Sequence, residues 1–229
     1  MTGVLRRGTL SRFWGIMDGK RKALDMKWTY IGSDKETDHR FLNYYTLHYE
    51  VIKDDGTKKD YRYFLASRNE SKEGLRIVKQ DFKRADAVLI GTYLIENGRF
   101  YLLLEKQFRP ALNHEVISFP AGLVDMEDAS IVEAAKRELR EETGYEMEDV
   151  TLIVPPSPTS EGLSDECNAV VTGSLLKKGK DDKEEFEDIQ AKLYSKEEVK
   201  RLLEDEDVIF SNPARLLVLY LLEKYKNLK

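Results

Sequence analysis

Arg137-Glu138-Leu139-Arg140-Glu141-Glu142-Thr143-Gly144-Tyr145 sets three carboxylates at i, i+3 and i+4, with a glycine where a helix would stop. At 3.6 residues per turn, Glu138 and Glu142 lie about 40° apart on one strip, flanked by Glu141. Like charges at that spacing repel and cost helix stability unless a cation stands among them. Arg137 reaches Glu141 by the i,i+4 rule, so the Glu138/Glu142 pair calls for a cation from outside the helix. Carboxylate oxygens suit a hard divalent ion, Mg²⁺ or Mn²⁺. Val132, Ala135 and Leu139 form a neighbouring apolar stripe that should pack on a sheet, while Glu133, Lys136 and Arg140 point to water. In a chain with 34% charged residues a Glu-rich helix alone would read as solvated surface. The residues upstream tilt the reading towards chemistry.

Those residues are Phe119-Pro120-Ala121-Gly122-Leu123-Val124-Asp125, a strand end and tight loop leading to a helix from about Ser130 to Thr143, closed by Gly144. From Gly122 to Tyr145 the chain resembles the Nudix box, Gly-x5-Glu-x7-Arg-Glu-U-x-Glu-Glu-x-Gly-U with U apolar. Gly122, Arg137, Glu138, Leu139, Glu141, Glu142 and Gly144 match, and Tyr145 holds the last apolar place. The early acid departs from the pattern. Asp128 stands where Glu is usual and one extra residue lies in the loop 126–130, so Asp128 and Glu127 compete for that place.

Glu105-Lys106-Gln107-Phe108-Arg109-Pro110, followed by the Pro-Ala-Gly loop, is similar to the ADP-ribose pyrophosphatase branch of the Nudix hydrolases. The resemblance implies that Arg109 contacts substrate phosphate, for which a guanidinium fork is well shaped. It also implies that Ala121 offers its carbonyl to a metal alongside Glu138 and Glu142, and that Glu141 bridges metals or fixes Arg137. In the loop 156–166, Glu166 aligns with a glutamate that assists water attack, and Glu161 is a rival. Ser118 stands where many members carry Glu, which removes one contact to substrate or metal.

The implied fold is α/β: an α/β/α sandwich around a mixed sheet, preceded by a small antiparallel β domain. The expected divisions are a basic arm at 1–22, a dimerising β domain at 23–84 and the Nudix hydrolase domain at 85–229. The implied reaction is Mg²⁺-dependent (or Mn²⁺-dependent) hydrolysis of the pyrophosphate of a nucleoside diphosphate sugar. ADP-ribose, giving AMP and ribose 5-phosphate, is the first candidate. GDP-mannose or another nucleotide sugar, and a catalytically silent nucleotide-binding module, are the alternatives.

Around this core the sequence sets bounds. A chain of 229 residues with 41% hydrophobic content can bury a proper core, and a net charge of −5 disfavours a nucleic-acid binder. One cysteine, Cys167, excludes an internal disulfide and fits a reducing, cytoplasmic location. No run is long enough to span a membrane. His39, His48 and His114 show no metal spacing, and only His114 lies near the Arg109 turn.

Alternating residues predict strands at 28–31, 41–52, 58–66, 87–95, 99–108, 116–119, 150–154, 168–176 and 189–194, with hairpin turns at Asp55-Gly56 and Asn97-Gly98. Residues 155–166 read as loop and 177–185 as a charged turn. Ser195-Lys196-Glu197-Glu198 is a capping-box pattern opening a helix through Glu204. Asn212-Pro213 opens a last helix, apolar almost all round at 216–222, that needs cover from this subunit or from a second copy in a homodimer.

Overall fold

The structure, a computed structural model, describes residues 26–178 and 189–229; the basic arm and most of the charged turn at 177–185 lie outside the described residues. Two units emerge. Among the described residues one gathers 26–34 with 46–64, the other 35–45 with 65–178 and 189–229. Strands β1 (Lys27–Lys35), β2 (Asn43–Ile52) and β3 (Lys58–Ser67) form a three-stranded sheet in chain order. In the first unit Trp28 meets Tyr49 and Tyr61 edge-on, at centroid distances of 5.8 and 5.1 Å, a geometry that aromatic quadrupoles favour.

After a 3₁₀ turn at Lys72–Gly74 and one turn of helix, α1 (Arg76–Lys79), the second unit builds a larger sheet. Its strands are β4 (Ala87–Glu96), β5 (Arg99–Arg109), β6 (His114–Ser118), β7 (Ala121–Leu123), β8 (Tyr145–Pro158), β9 (Cys167–Lys178) and β10 (Ile189–Ser195). The order is β10-β5-β4-β9-β8, with β6 paired to β5 and β7 to β4. β4 and β9 run parallel, Val88 opposite Ala169 and Ile90 opposite Val171; the other pairs are antiparallel, so the sheet is mixed. Asn97 and Gly98, both with positive φ (51° and 73°), make the two-residue turn whose twist suits a hairpin.

Alternation along the strands sorts side chains to two faces. Val88, Ile90, Leu103, Ala169 and Val171 pack with Ala134, Ala135 and Leu139 of helix α2 (Ile131–Thr143). Leu89, Phe100, Leu102 and Leu104 face the other way, onto Val199 of α3 (Lys196–Glu204) and Ala214, Leu217, Val218 and Leu221 of α4 (Asn212–Lys224). Helices on both faces of a mixed sheet make the expected α/β/α sandwich. The capping box at Ser195 and Glu198 forms as read.

One expectation needs correction. The sequence reads 150–154 as strand and 155–166 as loop, yet β8 runs on to Pro158. It is the sheet's edge strand, with β9 as its one partner, and a slip in register between Val154 and Ser157 takes in Pro155 and Pro156, the kind of edge and bulge position where proline is tolerated. Within this chain one face of helix α4 is buried, at Ala214, Leu217, Val218 and Leu221, while Leu216, Leu219 and Tyr220 are 62%, 50% and 47% exposed. Among the described residues no helix is long and apolar enough to cross a membrane.

Candidate active site

Helix α2 is defined at both ends by its own sequence. Ser130 caps the start, its Oγ accepting from the Glu133 amide at 3.2 Å, and Gly144 (φ 71°) ends it in the left-handed conformation that glycine adopts at low cost. The apolar stripe then points the carboxylate strip at β7. Glu138 lies so close to that strand that a β-carbon on Gly122 would stand 2.0 Å from its carboxyl carbon. One turn later, buried Glu142 accepts from the Ala121 amide at 3.3 Å through Oε2. Gly122 is therefore glycine because the Glu138 side chain occupies the space where a Cβ would go.

Arg137 is the charge centre of the loop and does more than the i,i+4 rule allows. Its Nη1 donates to Glu138 Oε1 at 2.8 Å and to Glu141 Oε2 at 3.0 Å. Nε and Nη2 grip the two oxygens of Asp128 at 3.2 and 2.9 Å, and Nη2 also meets the Leu123 carbonyl and Asp125. The expectation that Arg137 relieves Glu141 alone is thus corrected, as is the isolation of the Glu138/Glu142 pair. The loop 123–128 folds back onto the helix, a contact that helical periodicity does not contain. The same contact decides between the early acids: Asp128 binds Arg137, whereas Glu127 is exposed.

The electrostatics follow from this arrangement. Hydrogen bonds from Arg137 hold Asp128 below the usual carboxylate range, and Asp128 in turn keeps Arg137 firmly charged. Burial pushes Glu138 up, against the pull of Arg137. Desolvated carboxylates that resist ionisation gain most from a divalent partner. The donors at this corner, carboxylates of Glu138 and Glu142 beside the Ala121 peptide, are all oxygen and fit Mg²⁺ or Mn²⁺ by type. Among the described residues, no three acidic, histidine or cysteine side chains stand gathered as a finished coordination sphere.

The remaining expected residues lie on other elements. Arg109 ends β5, exposed, opposite His114 across the β5–β6 hairpin. Glu166, between β8 and β9, accepts from Arg68 Nε at 3.0 Å and from Thr159 Oγ1 at 3.2 Å. Among the described residues, no hydrogen bond joins Arg109 or Glu166 to the carboxylates of α2. Glu161 is exposed on the same loop. Ser118 sits 3.1 Å from Ser211, hydroxyl to hydroxyl, and opposite buried Glu105 on β5. His48 pairs with Asp34 at 2.8 Å, and Cys167 is fully buried, its thiol pushed up by burial.

Sequence reading alone did not single out Arg68, Arg76 or Asp86, which bond the segment 165–167. They lie up to 98 residues from their partners, and no local spacing announces them.

Comparisons with known proteins bear on the family of this chain. The ADP-ribose pyrophosphatase of Saccharomyces cerevisiae is 48% identical over 58 residues, 25% of this chain and 23% of that protein. The ADP-sugar pyrophosphatase of Mus musculus is 37% identical over 105 residues, 45% of this chain and 47% of that protein. The chain thus spans about a quarter to a half of the length of these curated relatives. A crystal structure of an ADP compounds hydrolase shares the fold, with a TM-score of 0.61 at 18% identity over 88% of this chain and 95% of that one. The NUDIX domain model matches residues 83–212, more than half of the chain and all of the carboxylate helix with its loop, so the chain belongs to the NUDIX domain family.

Proposed function

We propose that the protein hydrolyses the pyrophosphate bond of a nucleoside diphosphate sugar with Mg²⁺, ADP-ribose being the first substrate, to give AMP and ribose 5-phosphate. The observation that carries this reading is the corner at β7, where Glu138 lies against Gly122 and Glu142 meets the Ala121 amide. The matches to an ADP-ribose and an ADP-sugar pyrophosphatase support the substrate class.

In this reading Glu138, Glu142 and the Ala121 carbonyl would hold a divalent ion, which would supply charge neutralisation for the pyrophosphate and acidify a water. Arg137 keeps Glu138 and Glu141 in place while Asp128 anchors Arg137. Glu166 orients or deprotonates the attacking water, and the exposed Arg109 guanidinium takes a phosphate. A homodimer built from the β domain at 23–84 and α4 is supported by exposed Trp28, Ile31 and Phe64 and by exposed Leu216, Leu219 and Tyr220. Buried Cys167, the single cysteine, supports a reducing cytoplasmic location.

The test is mass-spectrometric product analysis after incubation with Mg²⁺ and ADP-ribose, run beside GDP-mannose and other nucleotide sugars. AMP with ribose 5-phosphate, lost on chelation and in Glu142→Gln, is the expected result. The Gln variant keeps an oxygen for the Ala121 amide, so it should fold while losing on the order of 10²-fold or more of turnover. A folded Gln variant with full activity removes Glu142 from the mechanism. Turnover of GDP-mannose alone moves the substrate assignment, and no turnover of any nucleotide sugar leaves a silent binding module.

A further inference from the structure

Glu166 is a single residue held between two fixed points. Before it, the Asp165 carbonyl accepts from Arg76 Nε at 2.7 Å. After it, the Cys167 amide donates to Asp86 Oδ2 at 2.7 Å, and that same oxygen accepts from Arg76 Nη2 at 2.6 Å. The Asp86 amide returns a bond to the Cys167 carbonyl at 2.7 Å, closing a ring of contacts around the residue. Arg76 uses its other donors on the carbonyls of Asp81 and Arg84, and its own amide bonds Asp165 Oδ2 at 3.2 Å. Its side chain is only 11% exposed although it opens a four-residue helix on the surface of the chain's second unit. Five N–H donors in one rigid plane reach several acceptors at once, which a point-like ammonium does not.

We propose that Arg76, acting with Asp86, is a positioning residue for Glu166. It fixes the peptide groups on either side of that glutamate and so aims its carboxylate, which Arg68 and Thr159 then hold from the side-chain end. The inference rests on the reading of Glu166 as the group that handles water. Displacement of such a group by about 1 Å costs on the order of 10²-fold in rate, so a clamp remote from the carboxylate has a kinetic signature.

The experiment compares Arg76→Gln, Arg76→Lys, Glu166→Gln and the double variant, using ADP-ribose with Mg²⁺ and, separately, amide hydrogen exchange without substrate. Arg76→Gln should lower kcat about 10- to 100-fold with KM within about two-fold, and should speed exchange in the 164–167 segment but not in α2. Arg76→Lys, which keeps the charge beside Asp86 and loses the reach to the Asp165 carbonyl, should recover part of both; it also carries the comparison if the Gln variant does not fold. On a Glu166→Gln background, Arg76→Gln should change the residual rate by less than about two-fold. Unchanged exchange at 164–167, or an equal loss of rate with and without Glu166, overturns the proposal. A Glu166→Gln enzyme with full turnover overturns the reading of Glu166 and the inference with it, whereas an impaired Glu166→Gln beside a normal Arg76→Gln sinks the inference alone.

Discussion

Gly122→Ala separates catalytic geometry from stability in one methyl group. The added carbon would stand 2.0 Å from the Glu138 carboxyl carbon, 2.2 Å from Oε2 and 2.5 Å from Cγ. Ordinary contact begins at 3.4 Å, so the carboxyl carbon must retreat by at least the difference, 1.4 Å. Because Cγ is also too close, the side chain has to leave its rotamer rather than swing its tip. The obstructing atoms belong to a flexible side chain, so the fold gives way cheaply. Glu138 loses its 2.8 Å bond to Arg137, a cost of about 1–3 kcal/mol at a partly buried charged site. In the proposed mechanism the catalytic cost is of similar size, because a metal ligand moved by more than about 1 Å forfeits roughly 10²-fold in rate, about 2.7 kcal/mol. Steady-state kinetics with a Mg²⁺ titration, beside a thermal melt, measure both. The expected outcome is a kcat loss of about 10²-fold and a raised Mg²⁺ requirement in a protein that still melts cooperatively. Wild-type kcat at wild-type Mg²⁺ would refute the claim that Gly122 exists to admit Glu138.

Lys196 tests stability away from the site: it is 92% buried by complement of its 8% exposure, and its Nζ donates to the carbonyls of Tyr225, Lys226 and Leu228 at 3.4, 2.8 and 2.8 Å, just past the end of α4. Lys196→Met should cost about 2 kcal/mol and lower Tm by roughly 4–8 °C with kcat unchanged; an unaltered melting curve would show that these bonds contribute nothing net. Asp128→Asn tests the loop brace through pH. Arg137 holds the native Asp128 below its unfolded value, so its contribution to stability is complete above about pH 4 and is lost as pH falls through the lowered native value. Urea unfolding should therefore show the Asn variant weaker than wild type at pH 7, with the gap closing in acid; a gap independent of pH would mean that the pairing is not electrostatic.

Much of the fold was legible because it is local. Periodicity located the strands of both hairpins, and capping chemistry at Ser130, Gly144 and Ser195 located helix ends within about a residue. The edge strand β8 was misjudged because prolines 155 and 156 carry a loop signal that depends on whether a partner lies on that side. At the site, residue types within one helix and one loop pointed to Glu138, Glu142 and Gly122. Asp128 could not be chosen over Glu127 from spacing, because the choice depends on which acid the folded loop turns towards Arg137.

The sequence alone determined what repeats along one element: the strand and helix periods, the caps, and a row of carboxylates at i, i+3 and i+4. The tertiary structure decided everything that joins distant segments. It set Gly122 of β7 against Glu138 of α2, folded Asp128 back onto Arg137, and brought Arg76 and Asp86 to either side of Glu166. The physical reason is one of range. Side-chain period and capping act over four residues or fewer, whereas a hydrogen bond needs its partners within about 3.5 Å in space and places no limit on their separation along the chain.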